Sequence, residues 1–410
     1  MYNKRSKILR KLCSASFRTY LVYLQTLEVE NYSIASILVW VHEELGRAGL
    51  CSGEDGAFLK AMSRFFVDTR DDDFRDSVFQ CFRCIHGSIV KLSSDSISKE
   101  HENTTAEPFG TESALELYAH IKPFLFEKLV GNSFRQITND MRQCLDMVIK
   151  VFPDIPMEFE RVKNNHAAIQ ELLSSDINLH LASPEATQPL YVFDLFGSNE
   201  KILPVLFELS YIEAKICFGH YMSRNDKDQK LLSSAIDNFI YHLCLRPYDF
   251  DAWLSLAHCY TVKITDALTL GPIEGTREKR KIIDLQKRAF HCFIRASKLL
   301  QRREFTGLLG IKSKQVETMW TLFGNICILI ASQPMSGEAL KIDAPICVAS
   351  LFNDSGKAKQ SIPQSCQYVR AIAVFAYKKA LAVDSGQWES HYILANLYHK
   401  LGKSPQVRWL

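Results

Sequence analysis

Along most of the chain apolar residues recur every three to four positions, the spacing of helices that bury one face. Lys4 to Leu92 reads as successive amphipathic helices, broken near Glu30-Asn31 and across Gly49-Leu50-Cys51-Ser52-Gly53. Ser93 to Thr111 is polar and nearly free of large apolar residues, the composition of a linker. Helical periodicity resumes at Ser113 and runs to Phe152, where Pro153 and Pro156 stop it. Met157 to Leu173 predicts a further helix, followed by an irregular, proline-containing stretch from Ser174 to Glu200. No Asn-Gly or Asp-Gly hairpin separates alternating segments, so strand signals are nearly absent. The pattern predicts an all-α fold with a helical region over 1–92, a polar linker over 93–112, a second helical region over 113–200 and a repeat region over 201–410.

The repeat region carries the sharpest pattern. Ala235-x3-Phe239 is followed by Pro247 and then by Trp253-x2-Leu256-Ala257-x2-Tyr260. This order reproduces the junction of tetratricopeptide repeats, with Ala in place of the usual Gly. Small residues at 235 and 257 allow close helix approach, the aromatics fill the space between paired helices, and Pro247 ends one helix. Weaker copies follow. Ala289-x3-Phe293 precedes Trp320-x2-Phe323-Gly324, and Ala371-x3-Phe375 precedes Leu394-Ala395-x2-Tyr398. The small residues 257, 324 and 395 are spaced 67 and 71 positions apart, about twice the usual repeat. Loop-like insertions at Gly271 to Lys281, 302–315 and Gln333 to Gln364 account for the excess. The expected architecture is an irregular tetratricopeptide-like α-solenoid, and Trp253, Trp320 and Trp388 are expected between its helices.

Composition narrows the class. The 410 residues are 47% hydrophobic and 23% charged, which suits a folded chain, and the formal net charge is only +3. Such a balance argues against a nucleic-acid-coating surface. The longest apolar stretches, Ile34 to Val41 and Ile326 to Ala331, are too short to span a bilayer. Twelve cysteines are scattered through apolar patterns without a framework spacing, as expected of free thiols in a reducing cytosolic or nuclear compartment. A basic cluster (Lys4, Arg5, Lys7, Arg10, Lys11) fits either a solvated helix end or a nuclear address.

Candidate chemistry is sparse. Cys81-x2-Cys84 with His86 invites a zinc reading, but no second Cys or His pair follows at finger-like spacing within about twenty residues. Cys81 and Cys84 share an apolar face with Phe79, Phe82 and Ile85, so core packing is preferred. His42-Glu43-Glu44-Leu45-Gly46 begins like a zinc-protease helix, yet position 46 is Gly where the second His should stand. No Walker loop, dinucleotide fingerprint or nucleophile elbow is present. The chain is therefore read as non-enzymatic, with no catalytic, cofactor-binding or metal-binding residue and no partner-binding residue singled out. Asp68, Asp71, Asp72, Asp73 and Asp76 form an acidic patch, either a helix start or a contact for a basic partner such as a histone tail. Arg277 to Lys281 is expected on an exposed loop.

Five segments in fixed order resemble a known family. Cys81-Phe82-Arg83-Cys84-Ile85, Arg246-Pro247-Tyr248-Asp249-Phe250-Asp251-Ala252-Trp253, Cys292-Phe293-Ile294-Arg295-Ala296, the Trp320 helix and Trp388 with His391, Tyr392 and Leu394 are similar to stretches of the calcineurin-binding Cabin proteins and their fungal histone-regulator counterparts. The residues after Ile85 lack the family's Tyr-Gly-x-Pro continuation. The resemblance implies a non-catalytic scaffold subunit of the HIRA-type histone chaperone complex, in the nucleus, acting in replication-independent nucleosome assembly and transcriptional regulation. Its implied partners are a WD-repeat histone chaperone subunit and histones, with no cofactor, no sequence-specific nucleic acid and no membrane. Family members are much longer, so the chain is expected to be a fragment. The alternative is a cytosolic tetratricopeptide adaptor that captures a peptide in its groove.

Overall fold

The computed structural model describes residues 16, 19, 31–51, 56–69, 74–87, 101, 107–130, 139–152, 160–177, 202–223, 228–269, 275–302, 313–340 and 364–401. The basic cluster at Lys4 to Lys11 lies outside these residues, as do the side chains of Asp68 to Asp73. Asp76 is exposed in the first turn of its helix. The described residues form thirteen helices, and β-structure among them is a single isolated bridge between Ile177 and Leu340. The expected all-α helical array is the observed one. It divides into two units, 1–154 and 155–410.

The N-terminal unit contains α1 (Asn31–Arg47), α2 (Ala57–Thr69), α3 (Arg75–His86), α4 (Thr111–Val130) and α5 (Asn139–Val151). Each buries one stripe. Ile34, Leu38, Val41 and Leu45 line α1, while Phe58, Met62, Phe65 and Phe66 line α2. Val78, Phe82 and Ile85 do the same for α3, at the helical spacing the sequence displays. α2 packs on α1, α3 and α4, and α5 on α4. The stretch from Ser113 to Phe152, periodic in sequence, is two helices whose connection falls at 131–138. Pro123 sits inside α4 with its side chain exposed. α1 ends where Gly49 takes a positive φ of 62° and Leu50 N–H donates to Leu45 O, a left-handed helix end that glycine adopts without a Cβ penalty.

The C-terminal unit begins with α6 (Glu160–Ser174) and continues as helix pairs: α7 (Ile202–Ser223) with α8 (Gln229–Leu245), α9 (Phe250–Thr269) with α10 (Thr276–Arg302), and α11 (Ser313–Ala331) with α12 (Gln364–Val383), followed by α13 (Trp388–Lys400). The first helices of successive pairs touch, α7 with α9 and α9 with α11, and α6 packs on α8 and α10. The repeat positions behave as the small-residue logic requires. Ala235, Phe239, Trp253, Ala257 and Tyr260 are buried. A Cβ on Gly324 would lie 2.5 Å from the Tyr377 ring, so α11 and α12 can meet there only because the residue is Gly.

Two expectations are corrected. Arg277 to Lys281 is not a loop. These residues form the opening turns of α10, a helix whose charged outer positions and buried Ile282, Gln286, Ala289 and Phe293 follow the helical period. Trp388 is not interhelical core: it is 71% exposed, as are Tyr392 (67%) and Phe375 (52%), whereas Trp253 and Trp320 are buried. Trp388 opens α13, and among the described residues no helix packs over it.

Candidate functional site

The segment from Arg246 to Trp253, the longest of the family-like stretches, joins α8 to α9, and its residues hold that junction together. The Trp253 indole N–H donates to Pro247 O at 2.8 Å. Asp249 accepts from Ala252 N–H at 3.1 Å and lies 3.2 Å from His242 Nε2, whose Nδ1 faces Phe207 O at 2.8 Å. Burial alone would raise the Asp249 carboxyl. The His242 contact and the Ala252 N–H favour the charged form more strongly and hold it below the usual carboxylate range. Two residues on, Asp251 accepts from the Tyr211 hydroxyl, from Lys215 Nζ at 2.6 Å and from Gln315 Nε2 at 2.7 Å. One buried carboxylate thus ties α7, α9 and α11 together. Burial, reinforced by Asp251, pushes the Tyr211 phenol well above its ordinary value, so it stays a donor. This network is fully partnered and carries no nucleophile–base pair facing a cleft, which makes its role positional.

The first helices of the pairs enclose a groove of about 600 Å³, lined by Met222, His258, Val262, Asn325, Leu329, Asn396 and Lys400 among others. Its walls are mainly aliphatic with a few polar tips. Burial, with the nearby charge of Lys215, lowers His258 to about 4, so the imidazole is neutral at physiological pH.

The N-terminal unit gathers a different set of groups. Ligand atoms of His42, Cys51, Cys84 and His101 all lie within 4.8 Å of one another, and all four residues are buried. Each comes from a different place. His42 is on the last turns of α1, Cys51 just past the left-handed turn that ends α1, and Cys84 near the end of α3. His101 lies in the polar segment expected as a linker, where it is only 8% exposed. His101 Nδ1 is 3.4 Å from Cys51 Sγ and 3.4 Å from Cys84 Sγ. Its Nε2 points at the Glu43 carboxylate, 3.5 Å away. His42 Nδ1 faces Cys81 Sγ at 3.7 Å, and its Nε2 is buried without a hydrogen bond of normal geometry among the described residues.

The electrostatics divide the two thiols. The adjacent Cys51 thiol lowers Cys84 well below the ordinary thiol range, against the pull of burial, and the imidazoles of His101 and His42 add to the effect. Cys51, beside Cys84 and itself buried, is pushed up. Burial works to lower His101, but Cys84 and Glu43 outweigh it and raise the imidazole. Cys81 is raised by burial first and by the Cys84 charge second.

Two of these residues stand in sequence patterns that point elsewhere. Cys84 neighbours Cys81 and His86 in sequence, but His86 turns away to Glu107 O at 2.9 Å. His42 opens a zinc-protease-like pattern whose second His position, 46, is Gly. That glycine proves necessary: a Cβ at 46 would stand 2.2 Å from His101 Nε2. The imidazole that a metal helix would place at the fourth following position arrives instead from 55 residues downstream. No short spacing links His42, Cys51, Cys84 and His101, so no motif could have assembled them.

Comparison with known proteins covers nearly the whole chain. Residues 2–107 match the family model described as the histone transcription regulator 3 helical domain, and residues 130–384 match that of the HIR3 helical bundle domain. A histone transcription regulator 3 homolog of Debaryomyces hansenii is 21% identical over 391 residues, covering 93% of this chain and 22% of the relative. A homolog from Yarrowia lipolytica is 19% identical over 392 residues, covering 92% and 20%. The chain therefore spans about a fifth of the length of these curated relatives. With two family models matched in order, one over more than half its length, the chain belongs to the histone transcription regulator 3 family.

Proposed function

We propose that this chain is a non-catalytic helical scaffold within a histone chaperone complex, working in the nucleus in replication-independent nucleosome assembly and transcriptional regulation. The observation that carries the reading is the ordered match of both halves of the chain to the histone transcription regulator 3 family, whose name denotes histone regulation. The physical character of the molecule supports it. Helix pairs stacked side by side give extended surfaces that suit protein docking, and a net charge of +3 does not suit coating of nucleic acid. No helix among the described residues is long and apolar enough to cross a membrane. The partners this reading calls for are a WD-repeat histone chaperone subunit and histones, with no cofactor, no sequence-specific nucleic-acid contact and no membrane.

The groove across α7, α9, α11 and α13 favours a second reading, an adaptor that captures an extended peptide. Asn325, Asn396 and Lys400 could hold the peptide backbone or terminus while the aliphatic walls take its side chains. A tagged pull-down of the natural full-length protein from nuclear extract, read by mass spectrometry, separates the two. Co-recovery of a WD-repeat histone chaperone with histones is the expected result. Recovery of cytosolic partners alone would discard the chromatin role and leave the adaptor.

A further inference from the structure

We propose that His42, Cys51, Cys84 and His101 hold one structural Zn²⁺ ion in the N-terminal unit. This inference goes beyond the chaperone reading and stands without it. Zn–S bonds of about 2.3 Å and Zn–N bonds of about 2.0–2.1 Å place the donor atoms of a regular tetrahedron roughly 3.4–3.8 Å apart. His101 Nδ1 already stands 3.4 Å from both sulfurs, and the widest separation in the set, 4.8 Å, closes with a shift of about 1 Å.

The tautomers are set from outside the cluster. The Glu43 carboxylate stands 3.5 Å from His101 Nε2, on the side away from the sulfurs, while Nδ1 faces the two thiols. A small rotation there would make the carboxylate–histidine pairing common behind metal ligands. Cys81 at His42 Nδ1 leaves the orphaned Nε2 to coordinate. Two thiolates and two neutral imidazoles around a divalent cation sum to zero charge, which suits so buried a position. Zinc binds the thiolate forms, so loading the ion releases any thiol protons carried by Cys51 and Cys84 to solvent.

The donor set selects the metal and the role. Two sulfurs and two imidazoles converging on one point favour zinc over the hard, oxygen-seeking cations. Four protein ligands leave no open position for water or substrate, so the site holds structure and performs no reaction. The ion would bind the end of α1, the turn after it, the end of α3 and residue 101 to one point.

The test uses the 410-residue chain, produced without a histidine tag and purified under reducing conditions. Elemental analysis is expected to find about one zinc per chain. Exchange into Co²⁺ is expected to give the visible bands of tetrahedral cobalt with a near-ultraviolet thiolate charge-transfer band. Cys84→Ser and His101→Ala lose the ion, whereas Cys144→Ser, whose sulfur lies elsewhere in the unit's core, retains it. His101→Cys keeps the metal and shifts the cobalt spectrum toward a three-sulfur pattern. Glu43→Gln keeps the stoichiometry and weakens zinc binding about 10–100-fold. A wild-type chain that carries no zinc and gives no cobalt–thiolate band overturns the proposal, and so does zinc retained undiminished by Cys84→Ser. The wild-type measurements decide even where a variant fails to fold.

Discussion

The two units solve the same problem, holding short amphipathic helices together, with different chemistry. In the C-terminal unit the helices pair in sequence order, and each joint is closed by packing: Trp253 over Pro247, the Gly324 surface against Tyr377, Phe290 and Phe293 against Phe323. Its buried polar groups are small staples, such as Asp251 between α7, α9 and α11. In the N-terminal unit α1, α2 and α3 are only 12 to 17 residues long, and the ends of α1 and α3 converge on thiols and imidazoles rather than on more hydrocarbon. Short helices with limited area to bury draw less stability from the hydrophobic effect. A polar cluster at such a place costs free energy unless something satisfies it, which is why the first unit invites an ion and the second does not.

Metal removal should produce the largest separation between the units. A tight chelator is expected to collapse hydrogen-exchange protection in α1 and α3 while leaving α8 to α10 unchanged. Equal loss in both would erase the contrast. Trp253→Ala acts in the other direction. It removes a fully buried indole and its hydrogen bond, and chemical denaturation should record a loss of about 3–5 kcal/mol. A midpoint unchanged from wild type would show that the tryptophan does not hold the α8–α9 junction.

Gly324→Ala should cost roughly 1–3 kcal/mol through the clash with Tyr377. Trimming the ring in a Gly324→Ala/Tyr377→Leu double variant should recover part of that loss, and strict additivity of the two changes would refute a direct contact.

A smaller and pH-dependent effect belongs to Asp249. Its folded-state carboxyl titrates below its unfolded value, so the unfolded chain takes up the proton first as pH falls. The stability contributed by Asp249 is fully present above about pH 5 and is lost progressively from about pH 4 downward, through the folded value. Asp249→Asn should therefore flatten the acid limb of the stability curve relative to wild type, whereas parallel limbs would count against the His242 pairing. The smallest change is expected from Arg64→Ala. Arg64 is mostly exposed and pairs across α2 and α4 with Glu112 and Glu116, and such pairs contribute about 0–1 kcal/mol. A larger loss would mean that the first unit leans on surface charge after all.

Much of the C-terminal unit was legible in the sequence because its determinants are local. The positions of Ala235, Phe239, Pro247, Trp253 and Ala257 encode helix period, helix end and close approach within about two dozen residues. The helical opening of α10 was hidden because the basic run Arg277 to Lys281 looks the same in a loop and on a solvated helix face. Trp388 misled for a related reason: its spacing repeats that of Trp253, but burial depends on which helix lies above it, and spacing says nothing about that.

What the sequence determined by itself was the helical class, the array of pairs, the non-membrane apolar lengths and the resemblance to a histone-regulating family, all set by residue periodicity and ordered short segments. Only the tertiary structure decided that His42, Cys51, Cys84 and His101 meet. Two helix ends, a left-handed turn and a polar segment must converge before those donors face one another, and convergence over 60 residues is a property of packing, not of spacing. Gly46 states the difference most plainly: in sequence it is a missing ligand, and in the fold it is the space that the ligand occupies.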